Sequence, residues 1–252
     1  MKALRDKIFN LLPSYIAKTI VPSCFEISDF VARVASEIPA ESYVLDAGAG
    51  QCTYKPFFKR HAYIAVDAAW GDDNWDYSQL DLICDLEQLP FSENKFDAVI
   101  CTQVLEHVKE PQWVINEAFR TLKPGGVIHL SAPQGWGIHQ QPHDYFRFTK
   151  YGLQYLFEKS GFHHIDVQPS CGYFGYLANR LTVFPKTLFW NIKSRWVRLV
   201  MFPLELLSIF LFVLIFPLML NGMDSFDRRK DYTLHYFAKG VKPVDPKGQP
   251  NA

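Results

Sequence analysis

Residues 43–54 combine residue types and spacing that suit the binding of a ligand. They read Tyr-Val-Leu-Asp-Ala-Gly-Ala-Gly-Gln-Cys-Thr-Tyr, so a short apolar run ends in an acid, Asp46, and then gives way to small residues. This pattern is typical of a buried parallel strand that leads into a tight turn and a helix. Gly48 and Gly50 would leave room for a ligand beside the backbone, and the helix would offer its free N–H groups. The pattern predicts a ligand-binding turn, although glycines after a strand are also ordinary turn residues.

Further apolar runs downstream also end in acids. Residues 63–67 end in Asp67, at about the distance at which a doubly wound α/β fold holds ribose hydroxyls. A third acid, Asp85, precedes Leu86, and another strand is predicted over residues 96–101. Because open α/β sheets bind ligands at the carboxyl ends of their strands, these acids are expected at one edge of a sheet.

The series of short motifs resembles the class I S-adenosylmethionine-dependent methyltransferases, of the type 11 kind. The resemblance covers residue 43 to about residue 161 in unbroken order. It is carried by Val-Leu-Asp-Ala-Gly-Ala-Gly, Val-Asp, Cys-Asp-Leu-Glu-Gln-Leu-Pro-Phe, Phe-Asp-Ala-Val-Ile-Cys, Val-Leu-Glu-His-Val and Leu-Lys-Pro-Gly-Gly. It implies a Rossmann-like, doubly wound sheet of seven strands, mixed in direction, and S-adenosyl-L-methionine as cofactor.

The resemblance also implies roles for the residues around the glycine turn. Asp46 would orient the methionine ammonium, directly or through water. The backbone of Gly48 and Gly50 would pack against the methionyl and ribose parts of the cofactor. Asp67 would accept both ribose hydroxyls in a bidentate contact.

Farther along the chain the resemblance implies contacts with the rest of the cofactor. Asp85, with the backbone of Leu86, would meet the adenine, although an acid in a solvated loop is the alternative. Gln103 would lie beside the methionyl part. For Glu106 and His107 we expect a role in fixing their loop rather than in catalysis.

The loop after the predicted fifth strand, residues 132–149, is rich in aromatic, histidine and glycine residues. It emerges on the ligand side of the sheet, so we expect it to bind the methyl acceptor. A hydroxyl acceptor needs a base, for which His143 is the first choice and Asp144 or His139 the next. The alternative for His143 is a histidine that only fixes the loop.

Composition narrows the functional classes. The formal net charge of this 252-residue chain is zero, which disfavours binding to nucleic acid. The five cysteines form no C-x-x-C pair and are interpreted as core residues in a reducing compartment, and no metal site is expected. Residues 8–20 predict an amphipathic helix, and no signal peptide is evident.

About fifty to sixty residues separate the sixth strand, predicted over 163–167, from a seventh predicted over 231–239. Within them, residues 199–220 are apolar enough to span a membrane, although Glu205 and two prolines weaken that interpretation. Residues 180–198 interleave tryptophans with basic residues, which is typical of an interfacial helix. We expect a hairpin that enters and leaves the cytoplasmic face of the membrane. A true span and a buried or dimerising element are the alternatives.

These inferences predict an enzyme with one Rossmann-like core and a membrane-associating insertion. Its expected parts are an N-terminal helical segment (1–40), the cofactor-binding core (41–171), the insertion (172–225), the final strand (226–241) and a tail (242–252). The predicted activity is methyl transfer, with O-methylation favoured, to a small-molecule, lipid or lipid-linked acceptor. The alternative is a non-catalytic subunit that binds S-adenosyl-L-methionine and anchors or regulates a membrane complex.

Overall fold

The computed structural model describes residues 25–72, 74–189, 192 and 194–244. They divide between two compact units. The sheet unit contains residues 27–170 and 235–244, and the insertion unit contains residues 25–26 and the described part of 171–234. The helix predicted over residues 8–20 lies outside the described residues.

Seven strands form one mixed sheet in the order β3-β2-β1-β4-β5-β7-β6. The first five pair in parallel, and β7 runs antiparallel to both of its neighbours. The predicted seven-stranded, Rossmann-like architecture is therefore confirmed. The strands are β1 (Tyr43–Ala47), β2 (Ala62–Asp67), β3 (Leu82–Ile83), β4 (Phe96–Thr102), β5 (Leu122–Pro133), β6 (His163–Pro169) and β7 (His235–Val241).

Helices cover both faces of the sheet because alternate strand residues point to opposite sides. On one side α1 (Glu26–Glu37) packs Val31 and Val34 against Val44 and other strand residues. On the other side α2 (Pro111–Thr121) and α3 (Lys150–Ser160) pack against neighbours of Leu45. Burying each such side chain is worth about 1.5–3 kcal/mol, so these two cores hold the strand ends in place.

Local residues define both ends of α3. The Oγ1 of Thr149 accepts a hydrogen bond from the backbone N–H of Gly152 at 3.0 Å and caps the start of the helix. Gly161 ends the helix with φ of 92°, in the left-handed region. The acceptor loop, residues 134–149, is thus fixed at both ends by β5 and α3.

The helix expected directly after the glycine turn is absent from the described structure, so that prediction was wrong. Turns follow β1, and the first helical element is a single 3₁₀ turn, Lys55–Phe58. Cys52 has a positive φ of 54°, which no α-helix accommodates, and Pro56 lacks the N–H that a helix would need. The turn after β1 is therefore followed by further turns rather than by the N-terminus of a helix.

The Leu-Lys-Pro-Gly-Gly segment forms the start of β5 at Leu122. The last strand begins at His235 rather than at residue 231, so its predicted boundary was wrong. Before it, the Oγ1 of Thr233 accepts a hydrogen bond from the backbone N–H of Cys171 at 3.1 Å, inside the insertion unit.

The insertion unit is helical, and the two ends of the insertion lie close together. Its helices are α4 (Tyr173–Leu181), α5 (Phe184–Phe189), α6 (Arg195–Ile209), a π-helical stretch (Phe210–Ile215) and α7 (Phe216–Met223). Helix α4 packs against α7, and the ring of Phe184 lies 4.5 Å from that of Phe212. The carboxylate of Asp224 accepts hydrogen bonds from the backbone N–H groups of Gly172 and Gly175. The two ends of the insertion are thus tied together.

Candidate functional site

A cleft of about 260 Å³ opens at the carboxyl ends of β1, β2 and β4. This is the edge at which ligands bind in open α/β sheets. The structure brings eight of the predicted site residues to its lining: Gly48, Gly50, Asp67, Asp85, Leu86, Gln103, His139 and His143. Asp46 and Asp144 are not among the lining residues.

The glycine turn is shaped so that side chains would not fit. Gly48 has φ of 89°, and a Cβ atom there would lie 2.1 Å from Cγ2 of Val104. Gly50 has φ of 53°, and its Cβ would lie 3.0 Å from the ring of Trp75. The backbone N–H of Gly48 donates to the carbonyl of Val66 at 2.8 Å, which ties the turn to β2. The turn therefore lines the cleft with bare backbone.

Asp67 stands at the end of β2 and organises this turn. Its Oδ2 accepts a hydrogen bond from the backbone N–H of Gly50 at 2.8 Å, and its Oδ1 accepts one from Ala69 at 2.7 Å. Each oxygen of an ionised carboxylate has further acceptor capacity. The side chain is thus oriented at the cleft and still able to accept ligand hydroxyls.

Asp85 and Gln103 line other parts of the cleft. Asp85 Oδ1 accepts a hydrogen bond from the backbone N–H of Glu87 at 2.9 Å, which fixes the carboxylate beside Leu86. Gln103 follows β4 with φ of 55°, and its Nε2 donates to Oγ of Ser131 at 3.1 Å. Both side chains are therefore positioned by neighbouring structure and face the cleft.

Asp46 lies deeper than the resemblance implied. The residue is fully buried, its Oδ2 accepts a hydrogen bond from the hydroxyl of Tyr63, and it does not line the cleft. Its Oδ1 has no hydrogen-bond partner among the described residues. Burial raises the pKa of Asp46 to about 7, with the Tyr63 hydrogen bond opposing and the charge of Asp67 adding to the rise.

His143 reaches the cleft from the acceptor loop. Its ring stacks on that of Trp70, with centroids 5.4 Å apart and planes at 28°. Its Nδ1 lies 3.2 Å from the hydroxyl oxygen of Tyr145. Stacking and this contact hold the imidazole where it can meet a ligand in the cleft.

Asp144 holds the acceptor loop in place through contacts with two other loop residues. Its oxygens accept hydrogen bonds from the two terminal nitrogens of Arg147 at 2.6 and 2.8 Å, and from the backbone N–H of His139 at 2.8 Å. The guanidinium of Arg147 lowers the pKa of Asp144 to about 2. A carboxylate held so firmly in its charged form is a weak proton acceptor, so Asp144 is suited to positioning His139.

Glu106 and His107 connect the end of β4 to the acceptor loop. The backbone carbonyl of Glu106 accepts a hydrogen bond from the N–H of Tyr145 at 2.7 Å, and Nδ1 of His107 contacts the carbonyl of His143. His107 also lines the cleft. Burial raises the pKa of the Glu106 carboxyl to about 8. His107 is thus part of the cleft, and both residues also hold the acceptor loop in place.

Two tryptophans of the site are not among the residues that the sequence motifs indicate. Trp70 and Trp75 line the cleft from the segment between β2 and β3. The signal was available, because this segment leaves the ligand edge of the sheet and is rich in aromatic residues. Without the fold, however, an aromatic residue in a loop does not show which surface it covers.

A family model and several known proteins match part of this chain. Residues 45–130 match the family model described as a methyltransferase domain. The chain is 35% identical to a ubiquinone biosynthesis O-methyltransferase of Pseudomonas fluorescens (strain Pf0-1) over 83 residues, which are 33% of this chain and 32% of that protein. A protein of the same name from Dechloromonas aromatica (strain RCB) gives the same identity and coverage. The match therefore spans about a third of these relatives.

Solved structures share the fold at low sequence identity. The [4+2]-cyclase SpnF has a TM-score of 0.54 at 16% identity, covering 86% of this chain and 82% of that one. Phosphoethanolamine N-methyltransferase 2 of Haemonchus contortus, in complex with S-adenosyl-L-methionine, has a TM-score of 0.51 at 15% identity, covering 86% and 52%. At these identities the likeness concerns the fold.

Proposed function

We propose that the chain is a class I S-adenosylmethionine-dependent methyltransferase that methylates a hydroxyl of a small-molecule, lipid or lipid-linked acceptor at a membrane surface, since residues 45–130 match a methyltransferase domain. One observation carries the proposal. The glycine turn, Asp67, Asp85 and the histidines of the acceptor loop line the same cleft. The names of the relatives, which are O-methyltransferases, favour oxygen as the acceptor atom.

For the cofactor we propose the contacts that the cleft geometry supports. Asp67, held by two backbone N–H groups, would accept the ribose hydroxyls. Gly48 and Gly50 would allow the cofactor to approach the backbone, and Asp85 with Leu86 would face the adenine. Gln103, anchored to Ser131, would lie beside the methionyl part. Asp46 would act on the ammonium from behind the turn, because it does not line the cleft.

In this reaction the main task of the protein would be to align the reactants. S-adenosyl-L-methionine supplies a methyl group on a positively charged sulfur, which is a good leaving group. The residues of the cleft would hold the acceptor oxygen in line with the methyl carbon and keep water out. His143, in contact with Tyr145, would accept the hydroxyl proton, with His139 as the second choice. We assign Asp144 the positioning of His139 because its charge is bound by Arg147.

The insertion unit supports attachment to a membrane. Arg195–Phe226 is a continuous helical segment of 32 residues that is long and apolar enough to cross a bilayer, and only 6% of its most apolar part is buried. Large apolar side chains cover it on several sides, for example Trp196 at 78% and Val200 at 77% exposure. Water would make so much exposed apolar surface costly, whereas lipid would not.

We propose that this unit enters and leaves the cytoplasmic face of one membrane. Support comes from the hydrogen bond between the N–H of Cys171 and Thr233, and from the packing of α4 on α7, which bring the two ends of the insertion together. A single crossing would separate those ends. In this proposal α4 and α5 would form one arm of the hairpin and the returning α7 part of the other, while the apolar stretch 199–220 is itself one helical run.

The decisive experiment supplies the purified full chain and methyl-labelled S-adenosyl-L-methionine to membrane extracts, followed by mass spectrometry of labelled products. We expect a labelled lipid-soluble product with wild type and a loss of at least tenfold with Asp67→Ala. The matched control is Asp166→Ala, which changes an exposed acid of β6. Tight binding of the cofactor with no labelled product from any extract would instead favour a non-catalytic binding subunit.

A further inference from the structure

Three side chains with metal-binding atoms converge beside the cleft. Glu106, His107 and His139 each offer one ligand atom, and these atoms all lie within 4.8 Å of one another. The Nε2 of His107 lies 3.8 Å from Oε1 of Glu106. Glu106 and His107 follow β4, whereas His139 comes from the acceptor loop, so the cluster exists only in the folded chain.

Two of these three residues offer buried atoms that lack a hydrogen-bond partner among the described residues. Glu106 is fully buried, and neither of its carboxylate oxygens has a hydrogen-bond partner among the described residues. The same holds for Nε2 of His107. Leaving a buried carboxyl group without a hydrogen-bond partner is costly, and an ordered water or a bound ion is what usually satisfies such atoms.

Neighbouring groups orient the two imidazoles as they do in metal sites. Nδ1 of His107 contacts the carbonyl of His143, which can only accept, so Nδ1 carries the proton and Nε2 keeps its lone pair. Nδ1 of His139 lies 3.5 Å from a carboxylate oxygen of Asp144. Carbonyl and carboxylate partners of this kind fix the tautomer and direction of metal-binding histidines.

We propose that Glu106, His107 and His139 bind one divalent transition-metal ion, preferentially Zn²⁺. Two imidazoles and one carboxylate are ligands that suit zinc and neighbouring first-row ions better than magnesium or calcium. Atoms bound to one tetrahedral zinc at about 2.0–2.2 Å lie about 3.4 Å apart. The 3.8 Å pair is close to that value, and small side-chain rotations would bring the third atom in.

The proposed site has a natural opening. His107 and His139 both line the cleft, whereas Glu106 is buried behind them, so a fourth ligand would enter from the cleft. Catalytic zinc sites use three protein ligands and leave the fourth position to water or substrate. On the basis of the proposed function, this ligand is the acceptor oxygen, whose pKa the ion would lower before methyl transfer.

This inference departs from the expectation of no metal site. That expectation considered the cysteines and their spacing, and Cys52 and Cys101 are indeed buried core residues. The ligands proposed here are instead two adjacent residues and a third that lies far along the chain, at position 139. Sequence spacing does not reveal such a set, because the two loops meet only at the edge of the sheet.

The test measures metal binding without cofactor or acceptor, so it is independent of the proposed function. The full chain, stripped with a chelator in detergent, is titrated calorimetrically with Zn²⁺ alone. We expect one equivalent to bind, and binding to weaken at least tenfold in both Glu106→Gln and His139→Ala. His163→Ala, which alters an exposed histidine of β6, should bind as wild type does.

Spectroscopy with Co²⁺ separates this site from the thiols. Substituted protein should show the intense visible bands of tetrahedral cobalt with no thiolate charge-transfer band, and the visible bands should vanish in Glu106→Gln. Circular dichroism checks that each variant is folded, and either variant alone suffices if the other does not fold. Absence of stoichiometric Zn²⁺ binding by wild type, or unchanged binding in a folded Glu106→Gln protein, would overturn the proposal.

Discussion

Replacing Asp46 by asparagine should change how the stability of the protein depends on pH. Asp46 is fully buried, and burial raises its pKa from 3.8 to about 7 in the folded protein. Asparagine has nearly the same shape and carries no charge, and its amide oxygen can still accept the hydroxyl hydrogen bond of Tyr63. The substitution therefore removes one titration and little else.

The folded and unfolded pKa values of Asp46 determine whether stability rises or falls with pH. Below pH 4 the carboxyl is protonated in both states, and the stabilities of wild type and variant differ by a constant amount. Between pH 4 and pH 7 the folded state keeps the proton that the unfolded state has lost, so wild-type stability falls as the pH rises. Each pH unit between the two pKa values is worth about 1.4 kcal/mol, so the total loss is about 4 kcal/mol at most.

Urea unfolding in detergent, followed by circular dichroism at several values between pH 4.5 and pH 8, measures this effect. The free energy of unfolding of Asp46→Asn minus that of wild type should grow by several kcal/mol over the range. Asp166→Asn, on an exposed acid, is the matched control and should show no such growth. A constant difference between Asp46→Asn and wild type would refute the buried, proton-holding carboxyl.

The same pair of proteins tests the proposed contact with the cofactor. If the methionine ammonium approaches Asp46, the positive charge favours the ionised carboxylate and lowers its pKa. Wild type should then release a proton when S-adenosyl-L-methionine binds near pH 6.5, and Asp46→Asn should not. Calorimetry in buffers with different ionisation enthalpies counts the proton. Equal proton release by both proteins would place the ammonium away from Asp46.

Four further predictions follow from the site and the insertion. Asp67→Ala should lose about 1.5–3 kcal/mol of calorimetric affinity for S-adenosyl-L-methionine, the range for hydrogen bonds to charged groups, and unchanged affinity would contradict the ribose contact. His143→Ala should lower turnover while leaving cofactor affinity near wild type, so full activity would place the base elsewhere. Gly48→Ala should destabilise the fold in urea by about 1–3 kcal/mol through its clash with Val104, whereas Gly137→Ala, whose Cβ meets nothing within 4 Å, should be nearly neutral. High salt should leave the protein on membranes, whereas detergent should release it. Replacing residues 173–232 by a short Gly-containing turn should give a protein that stays in solution and still binds the cofactor. Release by salt alone would show that charge, rather than apolar burial, attaches the protein.

Local sequence patterns predict much of the architecture. The apolar runs that end in Asp46 and Asp67 predict parallel strands because a buried strand must be apolar and an acid can lie only where the strand reaches the sheet edge. Thr149 and Gly161 predict the ends of a helix because capping involves only neighbouring backbone groups. The apolar length of residues 199–220 likewise predicts an apolar segment long enough to span a membrane, whereas its exposure is seen only in the structure.

Other features depend on contacts between distant segments, and only the tertiary structure decides them. Tyr63 turns Asp46 away from the cleft, Trp75 covers Gly50, and Thr233 ends the insertion by pairing with Cys171. The meeting of His139 with Glu106 and His107 is of the same kind. The sequence by itself determined the elements, because their propensities and periods are local, whereas the direction and neighbours of each side chain follow from how those elements pack.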